Sequence, residues 1–170
     1  MIKKLLLIVC MLLLATTALA FPKVENSDAI LADMKANPSR YVRFGGASVG
    51  QHYYIDKISI NVHKYEPPEY IIAARWVTRS YVIAGENVYE DIRLDTTMRY
   101  KYDYDQRKMY FETTDENGNL IWKHIDPSLS KSYHDDNYIA AGEILFYLAY
   151  NMSFYDKIAT HCAREYIESH

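Results

Sequence analysis

Cysteine is nearly missing from this chain. Of its two, Cys10 lies in an N-terminal apolar run and only Cys162 stands in the body. Without that run no disulfide can form within the chain, so the domain must be held by packing. Basic charge is short as well, with 19 Lys and Arg against 22 Asp and Glu, a net of −3. A mildly acidic chain lacks the basic footprint that nucleic acid requires and gains nothing from an anionic membrane surface. The sequence also lacks a nucleophile elbow, a phosphate loop, an H-E-x-x-H and a C-x-x-C. No internal repeat or low-complexity tract is present, and nothing implies a cofactor or a metal.

What is present begins with a processing segment at residues 1–20. Lys3 and Lys4 form a short positive region, Leu5 to Leu14 an apolar run, and Ala18-Leu19-Ala20 supplies the small residues that signal peptidase reads. The apolar run is shorter than the about 20 residues that span a bilayer. Cys10 follows Val9 inside that run, which argues against a lipoprotein signal. Export with cleavage after Ala20 is expected, to the periplasm, the cell surface or the medium, with no membrane span once the signal is removed. The remaining 150 residues suit one domain, with 17 basic against 22 acidic side chains and a net charge of −5.

Residues 21–40 read as a leader with a short helix, Ser27 to Ala36, stopped by Asn37-Pro38. Residues 41–126 read as sheet. Tyr41 to Phe44 is a first short strand, followed by a break at Gly45-Gly46. From Tyr53 to Trp76 the alternation changes phase: Tyr53 and Ile55 hold odd positions, whereas Ile58, Ile60 and Val62 hold even ones. A strand cannot bury both sets on one face, so a turn or bulge is expected at Asp56-Lys57, after which Ile58, Ile60 and Val62 face the core. Pro67-Pro68 ends that strand. Tyr70, Ile72, Ala74 and Trp76 share the next inner face, and Ile83 to Glu90 reads as a loop. Met98, Tyr100, Tyr102 and Tyr104 alternate with Arg99, Lys101 and Asp103, the clearest period-two pattern in the chain. Turns at Asp105-Gln106-Arg107 and Asp115 to Asn119 frame a strand with Met109 and Phe111 inward, and Leu120 to Ile125 follows.

Residues 127–170 read as a polar loop and a C-terminal helical segment. Ile144, Leu145, Leu148, Ala149 and Met152 follow helical spacing, and the helix is expected to begin between Asp136 and Ala140 and to continue past Ser153, with or without a break, towards Tyr166. The fold class is therefore α+β, an antiparallel sheet of five or six strands in meander order packed by a C-terminal helix.

Several clusters carry candidate chemistry. Ser128-Leu129-Ser130-Lys131 fits S-x-x-K, but its companion K-T-G and S-D-N patterns are missing. Asp115 to Asn119 is similar to a calcium loop, yet its glycine comes fourth, and Asn-Gly signals a hairpin turn. His134-Asp135-Asp136 and His161-Cys162 bear ligand-type side chains, but neighbours on one element point apart and no metal spacing results. Cys162 is either a buried thiol or the link of a disulfide homodimer. Tyr100, Tyr102 and Tyr104 are either a contact surface or the packing layer beneath the C-terminal helix.

Tyr54-Ile55-Asp56-Lys57-Ile58-Ser59-Ile60 resembles the Y-[IV]-D-x-x-[ST]-I hairpin of small exported bacterial proteins. Met98 to Asp105 followed by Arg107 to Tyr110 fits the same pattern. The named group it resembles is the surface-adhesin-E-like domain, although Tyr104 stands where that group tends to have cysteine. The resemblance implies a compact antiparallel sheet with helix support, and export. The founding adhesins bind host matrix and cell-surface components, but no functional residue carries over. The expected function is an exported, non-enzymatic binding module whose partner is a protein or envelope component. The alternatives are a small hydrolase or inhibitor using His124, His134 or the Ser128 loop, and a structural envelope protein.

Overall fold

The computed structural model describes residues 27–47, 50–84, 87–129 and 132–170; the expected leader at residues 1–20 and the Ser130-Lys131 pair lie outside them. Among the described residues the chain forms α1 (Ser27–Ala36), then β1 (Tyr41–Ala47), β2 (Gln51–Glu66), β3 (Glu69–Ala84), β4 (Asn87–Asp103), β5 (Lys108–Thr114) and β6 (Leu120–Ile125), then α2 (Tyr133–Tyr150) and α3 (His161–Glu168). The six strands make one antiparallel sheet in chain order, each beside its sequence neighbour. The protein is α+β and mostly sheet. Among the described residues no helix is long and apolar enough to cross a membrane.

The expected turns form for the expected reasons. Pro67-Pro68 separates β2 from β3. At the β4–β5 turn Arg107 takes a left-handed backbone, with φ 52°, and the Asp103 carboxylate accepts from the Gln106 N–H at 3.0 Å. At the β5–β6 turn Gly118 has φ 82°, a conformation glycine adopts without steric cost. The Asp115 carboxylate there accepts from the Asn117 and Asn119 N–H groups at 2.9 and 2.8 Å. The acidic loop is a hairpin turn whose carboxylate is occupied by its own backbone.

Four expectations are corrected. Gly45 and Gly46 do not break β1, which runs through them to Ala47 with a bulge at Phe44. Ile83, Ala84 and Asn87 to Glu90 are strand and not loop, because β3 and β4 stay paired out to Ala84 and Asn87, and Gly85-Glu86 lie outside the described residues. The phase change falls where expected, but its outcome differs. Residues 57–60 stand opposite Ala74 alone, and Ile58 and Val62 are 67% and 41% exposed. Ser59 turns inward instead, its hydroxyl donating to the Asp56 carbonyl at 2.6 Å and accepting from the Arg75 N–H at 2.7 Å. Lastly, the C-terminal helical segment does not continue past Ser153: it is two helices, and the first ends at Tyr150. Asn151 caps α2 in the left-handed conformation, residues 151–160 form a connecting loop, and Met152 points out to solvent.

The inner face of the sheet carries Val42, Phe44, Tyr53, Ile55, Tyr70, Ile72, Ala74, Trp76, Met98, Tyr100, Tyr102, Met109 and Ile125. Across it lies α2, with Ile139, Ile144, Leu145 and Phe146 buried, while Phe154 from the connecting loop fills the end of the same core. Tyr100 and Tyr102 are fully buried, and their hydroxyls donate to the Tyr138 and Gly142 carbonyls of α2 at 3.0 and 2.9 Å. For Tyr100 and Tyr102 the packing layer holds and the contact-surface reading is corrected, since both side chains are wholly buried. Tyr104 lies just past β4, half-buried and stacked on Phe146 at 5.7 Å.

The opposite face is covered in part by α1. Its Ile30 and Met34, one turn apart, bury against Val77 and Ile92. Below α1, Asp56 is only 1% exposed and is bound by Arg40 through two bonds of 2.6 and 2.7 Å, with Arg75 at 3.7 Å. Arg40 also reaches Asp33 of α1 at 2.6 Å, and Tyr41 donates to the same carboxylate. That network fixes the helix to the sheet.

Candidate binding cleft

The ladder between β4 and β5 is short. It starts at Asp103–Lys108 beside the turn and stops after Tyr100–Phe111. Farther along, two residues of β4, Asp95 and Thr96, stand opposite Trp76 alone. An extra residue of this kind bends its strand and sharpens the local twist. Past Tyr100, β4 follows β3, whereas β5 continues with β6 through three more pairs, from Glu112–Trp122 to Thr114–Leu120. The two strands therefore part and open a cleft of about 400 Å³.

Trp76, Met98, Tyr100, Phe111 and Tyr138 line the apolar part of this cleft, and Thr97, Arg99, Glu112, Thr113, Thr114 and Leu120 form its rim. The aromatic wall is continuous. Phe111 stacks on Tyr138 at 4.4 Å, Tyr138 meets Trp76 edge-on at 5.6 Å, and Trp76 meets Phe44 at 4.8 Å. Trp76 is 9% exposed, and its indole N–H has no hydrogen-bond partner among the described residues. The Arg99 Nε–H is also buried and without a partner, although the same guanidinium is paired with Glu112. A buried donor left unmade costs roughly 1–3 kcal/mol. Burial pushes the Tyr100 hydroxyl well above its ordinary range, so it stays a neutral donor to α2.

The other candidate residues are dispersed. His124, Asp126 and Ser128 share a cavity of about 510 Å³. There the Ser128 hydroxyl donates straight to Asp126 at 2.7 Å, closing a short turn, and these bonds hold the Asp126 carboxyl below its usual range. His124 lies against Tyr110 at 5.1 Å instead of between the serine and the carboxylate. The side chain of His134 lies outside the described residues. His161 and Cys162 open α3 and line two cavities, of about 600 and 610 Å³, both of which Arg43 also lines. Cys162 is half-buried, and burial raises its thiol above the ordinary value. Among the described residues no three His, Cys, Asp or Glu side chains converge as metal ligands.

Sequence reasoning placed Trp76, Met98, Tyr100 and Phe111 on the inner face but did not find the cleft, which arises from a pairing that stops early. It also missed Glu143. That residue lies 1% exposed in the middle of α2, and its carboxylate accepts from the Ala159 N–H at 2.7 Å, the Thr160 N–H at 3.3 Å and the Thr160 hydroxyl at 3.0 Å. The signal was an acidic residue inside the apolar run from Ala140 to Leu148. The chain matches no family model, no curated protein and no solved structure.

Proposed function

We propose that this chain is an exported, non-enzymatic binding module of the surface-adhesin-E-like kind, and that the cleft between β4 and β5 is its working site. The observation that carries the reading is the buried Trp76 indole N–H, left without a partner in the aromatic wall, with a second such donor, the Arg99 Nε–H, at the rim. Apolar pockets with a few convergent polar groups are where ligands bind, and this volume falls within their range of roughly 300–1,000 Å³. Export is supported by the leader pattern at residues 1–20, and the sheet motif from Tyr54 to Ile60 supports the group. The arrangement of Ser128, Asp126 and His124 lacks the serine–histidine bond that activates a nucleophile.

The test is a cross-linking capture with tagged protein covering residues 21–170, run beside a cleft-blocked variant, Thr113→Trp. A saturable partner from the envelope or medium that is captured by the wild type and lost in the variant is the expected result. Equal capture by both proteins, or turnover of a substrate abolished by mutating the Ser128 loop, overturns the reading.

A further inference from the structure

We infer that the occupant of this cleft is an extended, uncharged peptide segment of a partner protein, which adds to β4 as a strand. The inference rests on the cleft being the binding site, and it goes further by naming what binds. Three observations converge on it.

The first is the backbone. Residues 87–99 of β4 have β3 along one edge, and among the described residues no strand along the other, because pairing with β5 begins only at Tyr100. Such an edge presents main-chain N–H and C=O groups that a further strand can pair. The second is the position of the cleft against that edge. A strand laid there would run about 4.8 Å from β4, and its alternate side chains would point toward the aromatic wall of Trp76, Phe111 and Tyr138. The third is the polarity of the lining. Arg99 and Glu112 neutralise each other, so the cleft holds no uncompensated charge to attract a phosphate or a carboxylate. The groups that need satisfying are N–H donors, on Trp76 and Arg99, and a peptide offers a carbonyl acceptor at every residue.

The probe is a display library of random short peptides, selected on wild-type protein and counter-selected on Thr113→Trp. Enriched peptides should alternate apolar and polar residues and carry little charge. Against the Trp122→Phe variant, in which Trp76 is the single tryptophan, an enriched peptide should shift the emission saturably. Methylating alternate backbone nitrogens of that peptide should weaken it by roughly tenfold or more, since the ladder is lost while the side chains remain. Trp76→Phe, which keeps a ring and removes the N–H, should weaken it by about fivefold. Selection that enriches nothing for wild type over Thr113→Trp overturns the inference. So does an N-methylated peptide that binds as well as its parent, but that result leaves the cleft a binding site and the binding-module reading intact. Only the capture experiment with the blocked variant decides that reading.

Discussion

The carboxylate of Glu143 in α2 accepts the hydroxyl proton of Thr160 at 3.0 Å, and so binds the last helix of the chain to the one before it. The same carboxylate takes the Ala159 and Thr160 N–H groups, so one buried side chain holds the entry to α3. Burial pushes its carboxyl up to about 6, against the opposing pull of the Ala159 and Thr160 bonds. The folded value lies above the ordinary 4.5. The resulting stability is fully present below about pH 4.5 and is lost as pH rises through about 6, a loss of roughly 2 kcal/mol. His52, lowered mainly by burial and then by Arg43 and Arg79, acts in the opposite sense over neighbouring pH. The measurement is therefore a difference: urea unfolding of wild type and Glu143→Gln across that window. The wild type should lose about 2 kcal/mol relative to the variant, and a constant difference would refute the assignment.

Arg40 compensates a carboxylate that has almost no contact with water. Replacing it, Arg40→Leu, leaves Asp56 with Arg75 at 3.7 Å as its nearest cation among the described residues. Breaking a buried pair in this way costs about 3–5 kcal/mol, whereas removing both charges costs much less. Chemical denaturation should show Arg40→Leu strongly destabilised and the double variant with Asp56→Asn partly restored.

Gly142 lies where α2 touches the sheet. A methyl group there would fall 2.1 Å from the Met109 sulfur and 3.0 Å from the Tyr100 ring. Alanine favours a helix over glycine by about 1 kcal/mol, yet overpacking a filled core costs roughly 1–3 kcal/mol. Gly142→Ala should therefore lower the melting temperature, and the loss in Gly142→Ala with Met109→Ala should be smaller than the sum of the two single losses, since each change relieves the other.

Cys162 is half-buried with its thiol raised by burial, which leaves little thiolate near neutral pH. Alkylation by iodoacetamide should run roughly tenfold slower in the folded protein than in urea. Electrophoresis should show no dimer that reductant dissolves. A dimer lost on Cys162→Ser would reverse this and restore the covalent link as a structural role.

The sheet was legible in the sequence where burial is one-sided and pairing unbroken. From Tyr70 to Trp76 and from Met98 to Tyr102, period-two alternation gave the right inward set. It misled at Ile58 and Val62, because their strand carries four residues where its partner carries one, and no local pattern states that count. Val77 and Ile92 were also overlooked. They are buried on the second face by α1, and alternation alone does not tell which face a distant helix covers. The cleft was harder still. Its walls belong to β3, β4, β5 and α2, and it exists because two strands separate. Glu143 could have been noticed, since a carboxylate within an apolar helical stripe is seldom buried without partners.

The neighbour-to-neighbour order of the strands has a consequence for how the molecule comes into being. Each strand can join the one made just before it, so the sheet can grow at its newest edge while the chain is still being made. The lid does not arrive in that order. Tyr70, Tyr100, Tyr102 and Met109 all precede α2, the helix that shuts them from water. A chain cut short after β6 would hold a nearly finished sheet with its greasiest side bare, and would fail by sticking to its neighbours.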